Sequence, residues 1–356
     1  MTVEPASLCW VTGLMTERRD GLTWAASFAK LPALQYVVSD GGTGLLKGLD
    51  LVRAARRRDG ETRSLDQCLD VFHTVREGRR ALRLTWRRVA KVMDQAVAQD
   101  RVVARRGRNG QSCKGHGASA AATWSRAERI WDQALAVEAA WDQARGALEL
   151  FTAAGRLQDR PQAEAILAEA LPRLRGTEWA KTRRLLSRPE SLAFLDRVQA
   201  GLRELSLDPA VLEAILELEG LSRQRDRSAE DSVAAAVRRG RVLVRTVQLA
   251  RADPDWPESA TRVRHVLRNA WRASSLVECL NSVARMQQSR HRRMTQGLLD
   301  LKRLYWNLRR FRTGRRRDQT PYELLGVALP ALDWWELLKL SPEQLRQHLS
   351  AQRVGE

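Results

Sequence analysis

Leu31–Asp50 reads LPALQYVVSDGGTGLLKGLD, and the reading of the whole chain turns on it. Tyr36-Val37-Val38 is a short β-rich run that delivers one carboxylate, Asp40, into a turn built from Gly41, Gly42 and Gly44. Leu45, Leu46 and Leu49 then resume at helical spacing, so the predicted order is strand, acid, tight turn, helix. An acid at the carboxyl end of a strand is where open α/β sheets place ligand-binding groups. An aspartate before glycines is also an ordinary turn former, and this stretch alone leaves both readings open.

Working outward, residues 1–30 predict one or two strands carried by Val3, Leu8, Cys9, Trp10, Val11 and Leu14. Arg18-Arg19-Asp20-Gly21 reads as a turn, and Leu22 to Lys30 as a helix. On the other side, SLDQCLDVFHTVREGRR (64–80) predicts another short strand leading into a helix, with Asp70 and His73 at polar positions. As D-x-x-H, that pair is either a turn acid beside a partly buried histidine or a supporting element of a site.

From there to about Asn269, strand signals almost vanish and Ala, Leu, Arg and Glu recur at helical spacing. Breaks are expected at Gly107–Gly117 and at Asp253–Pro257. Trp124, Trp131 and Trp141 lie along one predicted helix, where tryptophans pack cores and helix interfaces more often than they stack on bases.

The chain has 356 residues, room for two or three domains and a substantial core. Its 61 Lys and Arg against 42 Asp and Glu give a net charge of +19, which makes a polyanion the natural partner: nucleic acid first, an anionic membrane surface second. Cys9, Cys68, Cys113 and Cys279 have no paired spacing, which excludes a disulfide framework or zinc module and fits a reducing cytoplasm. Cys113 and His116 form C-x-x-H without a second pair, a loop coincidence. The glycines after Asp40 do not match a P-loop, and no Ser/His/Asp or Cys/His arrangement stands out. No apolar run reaches the roughly 20 residues that span a bilayer, so no membrane anchor is expected.

Two features of the last third carry the candidate chemistry. Glu278 lies on a predicted helix that puts Ser274, Asn281, Ser282 and Arg285 on its face. Such a face is either a surface ladder or, paired with Asp40, the hard-oxygen ligand set that divalent-metal phosphoryl chemistry requires. From Arg285 to Arg317 there are twelve Lys or Arg and one acid, Asp300. This density is either a solvated basic face or a phosphate-facing surface, with Arg290, Arg292, Arg293, Lys302, Arg303, Arg309 and Arg310 as the candidate DNA contacts. The tail from Thr320 is expected to dock through Trp334 and Trp335.

With these residues in place, the sequence resembles the DDE-type transposases of bacterial insertion sequences, whose catalytic domain is RNase H-like. VVSDGGTGLLKGL resembles the second-aspartate strand and turn, DVFH the [C/D]-x-x-H motif of insertion-bearing families, and SSLVECLNS with its basic helix and YWNLRRF the glutamate helix. The resemblance covers about residues 1–80 and 266–340. It implies an α/β, RNase H-like core interrupted by a large all-helical insertion: 1–80 and 266–317 as the core, 81–265 as the insertion, 318–356 as a tail. It further implies Asp40 and Glu278 as metal-binding carboxylates for Mg²⁺ or Mn²⁺, with Asp70, His73, Asn281 and Arg285 in support.

The implied partner is DNA, bound by a homo-oligomer, and the implied reaction is phosphodiester cleavage and strand transfer, in which two metal ions activate the attacking oxygen and stabilise the leaving one. The family's first strand and the aspartate that ends it have no counterpart among Glu4, Glu17 and Asp20. The expectation is therefore an N-terminally truncated chain that is inactive alone. The alternatives are a non-catalytic DNA-binding or interaction protein, or a helical scaffold whose charge reflects an Arg-rich composition.

Overall fold

The computed structural model describes residues 1–225, 233–273, 275–290, 294–327, 333–341, 343–344 and 347. In chain order these form β1 (Thr2–Val3), β2 (Trp10–Thr12), α1 (Gly21–Ala29), β3 (Tyr36–Ser39), α2 (Thr43–Arg58), β4 (Asp66–Leu69), α3 (Val71–Arg108) and α4 (His116–Ala147). There follow α5 (Arg160–Ala170), α6 (Ala180–Leu186), α7 (Ala193–Glu204), α8 (Pro209–Arg225), α9 (Val233–Ala252) and α10 (Trp256–Arg268). The last third holds α11 (Ser275–Arg290), α12 (Gln296–Leu308), α13 (Pro321–Leu324) and α14 (Trp334–Lys339).

Helix and strand are both present, but helix is far in excess of what a mixed α/β expectation implies: the strands are two to four residues long and lie in small sheets. The chain divides into two compact units, residues 1–66 with 273–356, and residues 67–272. These boundaries differ from the expected 80/81 and 265/266.

In the first unit the glycine-rich stretch serves packing as much as turning. Gly41 takes φ +72°, the left-handed turn, and Gly42 caps α2. Gly44 lies inside α2 rather than in the turn, because a Cβ there would sit 1.9 Å from the Arg19 carbonyl oxygen. One turn later a Cβ at Gly48 would meet Trp24 Cβ at 2.5 Å. Helices α1 and α2 therefore approach backbone to backbone, and Asp20, whose carboxylate accepts from the Thr23 N–H at 2.9 Å, starts α1 at the same place. Phe28, Leu49, Val52 and Leu65 form the core beneath, with Val37 and Leu45 packed on it. The guanidinium of Arg56 donates to the Leu34 and Pro32 carbonyls at 2.8 and 3.2 Å and so fixes the lead into β3. Asp66 joins this region through its N–H, which donates to the Gln35 carbonyl at 2.7 Å.

A second core in the same unit is built from both ends of the chain: Trp10 of β2 packs with Leu280 of α11 and with Leu299 and Trp306 of α12. Strands β1 and β2 pair antiparallel, and the backbone of β2 and its flanks is fastened from α12 by side chains. Asn307, 1 % exposed, accepts from the Trp10 N–H at 2.8 Å and donates to the Trp10 carbonyl at 3.0 Å, as a neighbouring strand would. Gln296 donates to the Gly13 carbonyl and Trp306 to the Leu8 carbonyl, at 3.0 and 2.9 Å.

The second unit rests on the hairpin of α3 and α4. Alanines at heptad spacing, Ala120, Ala127 and Ala134, are buried along α4, so the two helices come close. Trp141 continues that line and is accommodated by Gly78 of α3, where a Cβ would lie 2.1 Å from the indole ring. Trp141 also meets Trp179 at 5.7 Å between ring centroids, and Trp131 meets Trp86 edge-on at 5.1 Å. Trp124 donates to Asp100. The tryptophans are thus tied into packing and hydrogen bonds within the hairpin. The helices break at 109–115 and 253–255, within the two expected segments.

Candidate functional site: an acidic pair and a basic surface

Strand β3 ends at Ser39, and Asp40 follows it, exposed, with Oδ1 accepting the Gly42 N–H at 3.1 Å. One carboxylate oxygen is therefore used in an Asx turn, while the remainder of the group faces water. Glu278 stands half-buried in the first turn of α11, two residues before Leu280, whose burial against Trp10 fixes the helix. Asp40 and Glu278 belong to the same compact unit although 238 positions apart in sequence. Asn281 is half-buried and Arg285 exposed on α11, and the Ser282 hydroxyl donates back to the Cys279 carbonyl at 2.7 Å.

The D-x-x-H pair falls in the other unit, and its spacing has a local cause. Asp70, 1 % exposed, is the N-cap of α3: its Oδ1 accepts the His73 N–H at 3.1 Å, and its Oδ2 lies 3.6 Å from His73 Nε2. An N-cap acid and the third residue of its helix are three positions apart by geometry. Cys113 and His116 form the loop ahead of α4, the His116 N–H donating to the Cys113 carbonyl at 3.1 Å.

The basic candidates of the last third divide by what they touch. Arg303 donates to the Val11 carbonyl at 3.1 Å and pairs with Asp300 at 3.2 Å. Arg310 holds both oxygens of Glu323, at 2.7 and 3.1 Å, and the Asp318 carbonyl. Arg309 stacks on the Trp306 ring at 3.8 Å. Lys302 is half-buried on α12. Arg292 and Arg293 lie outside the described residues, as do Ser274 and the side chain of Arg290.

Residues the sequence reading passed over do most of the fastening here. Gln296, Trp306 and Asn307 hold β2 and its flanks, and Arg316 donates to the Ala6 carbonyl at 2.8 and 3.0 Å. A signal was present in YWNLRRF, where a polar Asn interrupts an otherwise apolar face.

Cys9 and Glu323 are displaced from their ordinary titration. Burial and the neighbouring Glu4 carboxylate raise the Cys9 thiol to about 11 against the opposing charge of Arg303, so it stays protonated and inert. Partial burial works against ionisation of Glu323, but the Thr320 N–H, the Arg310 guanidinium and the Thr320 hydroxyl outweigh it and hold the carboxyl below the usual range.

A resident Mg²⁺ or Mn²⁺ asks for several hard oxygen ligands around one point. Among the described residues no three His, Cys, Asp or Glu side chains gather closely enough to hold a metal ion. Fewer than three such side chains meet at any one point, so the described donor set does not fit such an ion. Among the described residues no helix is long and apolar enough to cross a membrane. Comparison of the chain with protein-family models, curated proteins and solved structures finds no match.

Proposed function

We propose that the chain is a DNA-acting protein of the DDE-type transposase lineage, its first unit RNase H-like and its second a helical insertion. The observation that carries this reading is that Asp40 and Glu278 fall in one discontinuous compact unit. Asp40 follows a strand and Glu278 sits on a helix, and a continuous helical unit of residues 67–272 separates them in sequence. The strong positive charge supplies the affinity for a phosphate backbone. Cleavage and strand transfer at DNA ends is the reaction of that lineage; Asp40 and Glu278 are the residues this chain offers for it, although the described residues supply no third ligand for a metal ion.

The test is a strand-cleavage and strand-transfer assay on end-labelled duplexes with Mg²⁺ or Mn²⁺. Any product that is lost in both Asp40→Asn and Glu278→Gln supports the assignment; activity that survives both substitutions overturns it. A second reading, a DNA-binding protein without catalysis, is favoured by the lack of any cluster of three metal-ligating side chains among the described residues. Salt-sensitive duplex binding with no product under any metal decides for it.

A further inference from the structure

Helix α3 runs for 38 residues with two opposite faces. Thr74, Gly78, Ala81, Val89, Val92 and Ala96 are buried along one side against the rest of the second unit. On the other side, at 100° per residue, nine of the ten exposed cations fall within about 60° of a single line, with Arg88 standing off it. The nine form two groups. The first comprises Arg76, Arg79, Arg80, Arg83, Arg87 and Lys91, and the second Arg101, Arg105 and Arg108. Asp94 is the one acid on that line between them.

Of these nine cations only Arg80 has an ion-pair partner among the described residues, a loose one at 3.9 Å to Glu77, which binds Lys181 more closely at 3.0 Å. Partial burial works against the ionisation of Glu77, but Lys181 and the arginines beside it outweigh this and hold its carboxyl below the ordinary range, so it remains charged. The companion helix α4 shows that the pattern belongs to α3 and not to the composition of the chain. It has three arginines against four acids, whereas α3 has eleven Lys or Arg against three.

At a rise of 1.5 Å per residue the centres of the two groups lie about 33 Å apart. One turn of B-DNA is about 34 Å. We propose that the cationic face of α3 is a docking surface for double-stranded DNA, with the helix lying along the duplex and its two groups contacting phosphates one turn apart. The contacts are to the backbone, so the surface positions DNA without reading its sequence. A membrane is the poorer fit, since an interfacial helix must bury an apolar face in lipid and that of α3 is already packed in the protein. Single strands are a poorer fit too, because no aromatic side chain lies on the stripe between Arg76 and Arg108 for bases to stack on. The inference rests on the DNA-acting reading for its choice of partner, but on α3 alone for its place.

The test measures affinity of the full chain for a 24-base-pair duplex across a salt series. Two triple variants, Arg80→Gln/Arg83→Gln/Arg87→Gln and Arg101→Gln/Arg105→Gln/Arg108→Gln, are compared with an α4 control, Arg126→Gln/Arg129→Gln. Each triple is expected to bind about 10–100-fold more weakly near 0.1 M salt and to flatten the salt slope by about 3, while the control stays near the parent. Circular dichroism melts of both triples should match the parent, because these side chains bear no packing. If the parent binds and neither triple changes the slope, or only one does, the two-group surface on α3 is overturned while the DNA-acting reading stands. A parent chain that fails to bind duplex at low salt overturns both, and a parent that prefers anionic vesicles to duplex overturns the choice of partner.

Discussion

Helices α3 and α12 are both rich in cations, and the fold uses them in opposite ways. In α12 and the segment after it, three arginines fold back onto the protein: Arg303 serves a strand carbonyl, Arg310 a carboxylate and a carbonyl, and Arg316 the backbone of residues 5 and 6. In α3 the arginines point away from a continuous buried seam and meet water. Guanidinium groups suit either task, as their fork satisfies carbonyls and carboxylates as readily as phosphates. Charge density therefore identifies a basic helix but not its use. What distinguishes the two is the angular position of each cation relative to the buried face, together with whether an unpaired carbonyl lies within reach.

Three measurements probe this contrast, beginning with the largest effect. Trp141→Ala removes the indole that fits against Gly78 and Trp179 and should destabilise the second unit by about 3–5 kcal/mol, seen as a fall in its thermal transition. A loss below about 1 kcal/mol would mean that the α3–α4 seam does not fix the outward set of α3. Asn307→Ala leaves the N–H and C=O of Trp10 without partners and should cost the first unit about 2–4 kcal/mol. The volume-matched Asn307→Leu should cost as much in denaturant titrations, which separates hydrogen bonding from cavity formation.

The smallest effect is that of Glu323, which closes a capping box with Thr320 and receives Arg310. Glu323→Gln should cost about 1 kcal/mol at neutral pH. Because the folded carboxyl titrates below its ordinary value, that contribution is complete above about pH 5 and is lost as pH falls through the folded-state value. The gap between parent and variant should accordingly narrow below about pH 4; a gap that is constant to pH 3 would show that the charge contributes nothing.

Much of this was readable along the chain wherever the cause is local. The run from Tyr36 to Leu49 gave strand, acid, turn and helix, because alternation and periodicity act over a few residues. Asp20 and Asp70 sit where N-caps form, and the breaks near 110 and 254 carry Gly and Pro. The D-x-x-H spacing was also local, although its cause was capping rather than ligation. Gly44 was misplaced into the turn because its role is set by the Arg19 carbonyl, in the segment that leads into another helix. The uses of Arg303, Arg310 and Asn307 were illegible for the same reason, since their partners are fixed by tertiary approach. The α3 stripe was written in the periodicity of residues 76–108, but it becomes distinctive only once the opposite face is seen to be buried.

The bonds between Trp10 and Asn307 join residues 297 positions apart, and this sets a schedule for the newborn chain. Synthesis at about 5–20 residues per second puts about 15–60 s between the emergence of Trp10 and that of its partner. Residues 67–272 form a continuous run and can complete their helices during that interval, whereas β2 waits with a buried-type tryptophan and an unpaired backbone. A chaperone that shields short apolar segments, or slow codons placed after residue 272, would therefore alter the yield of the first unit more than that of the second.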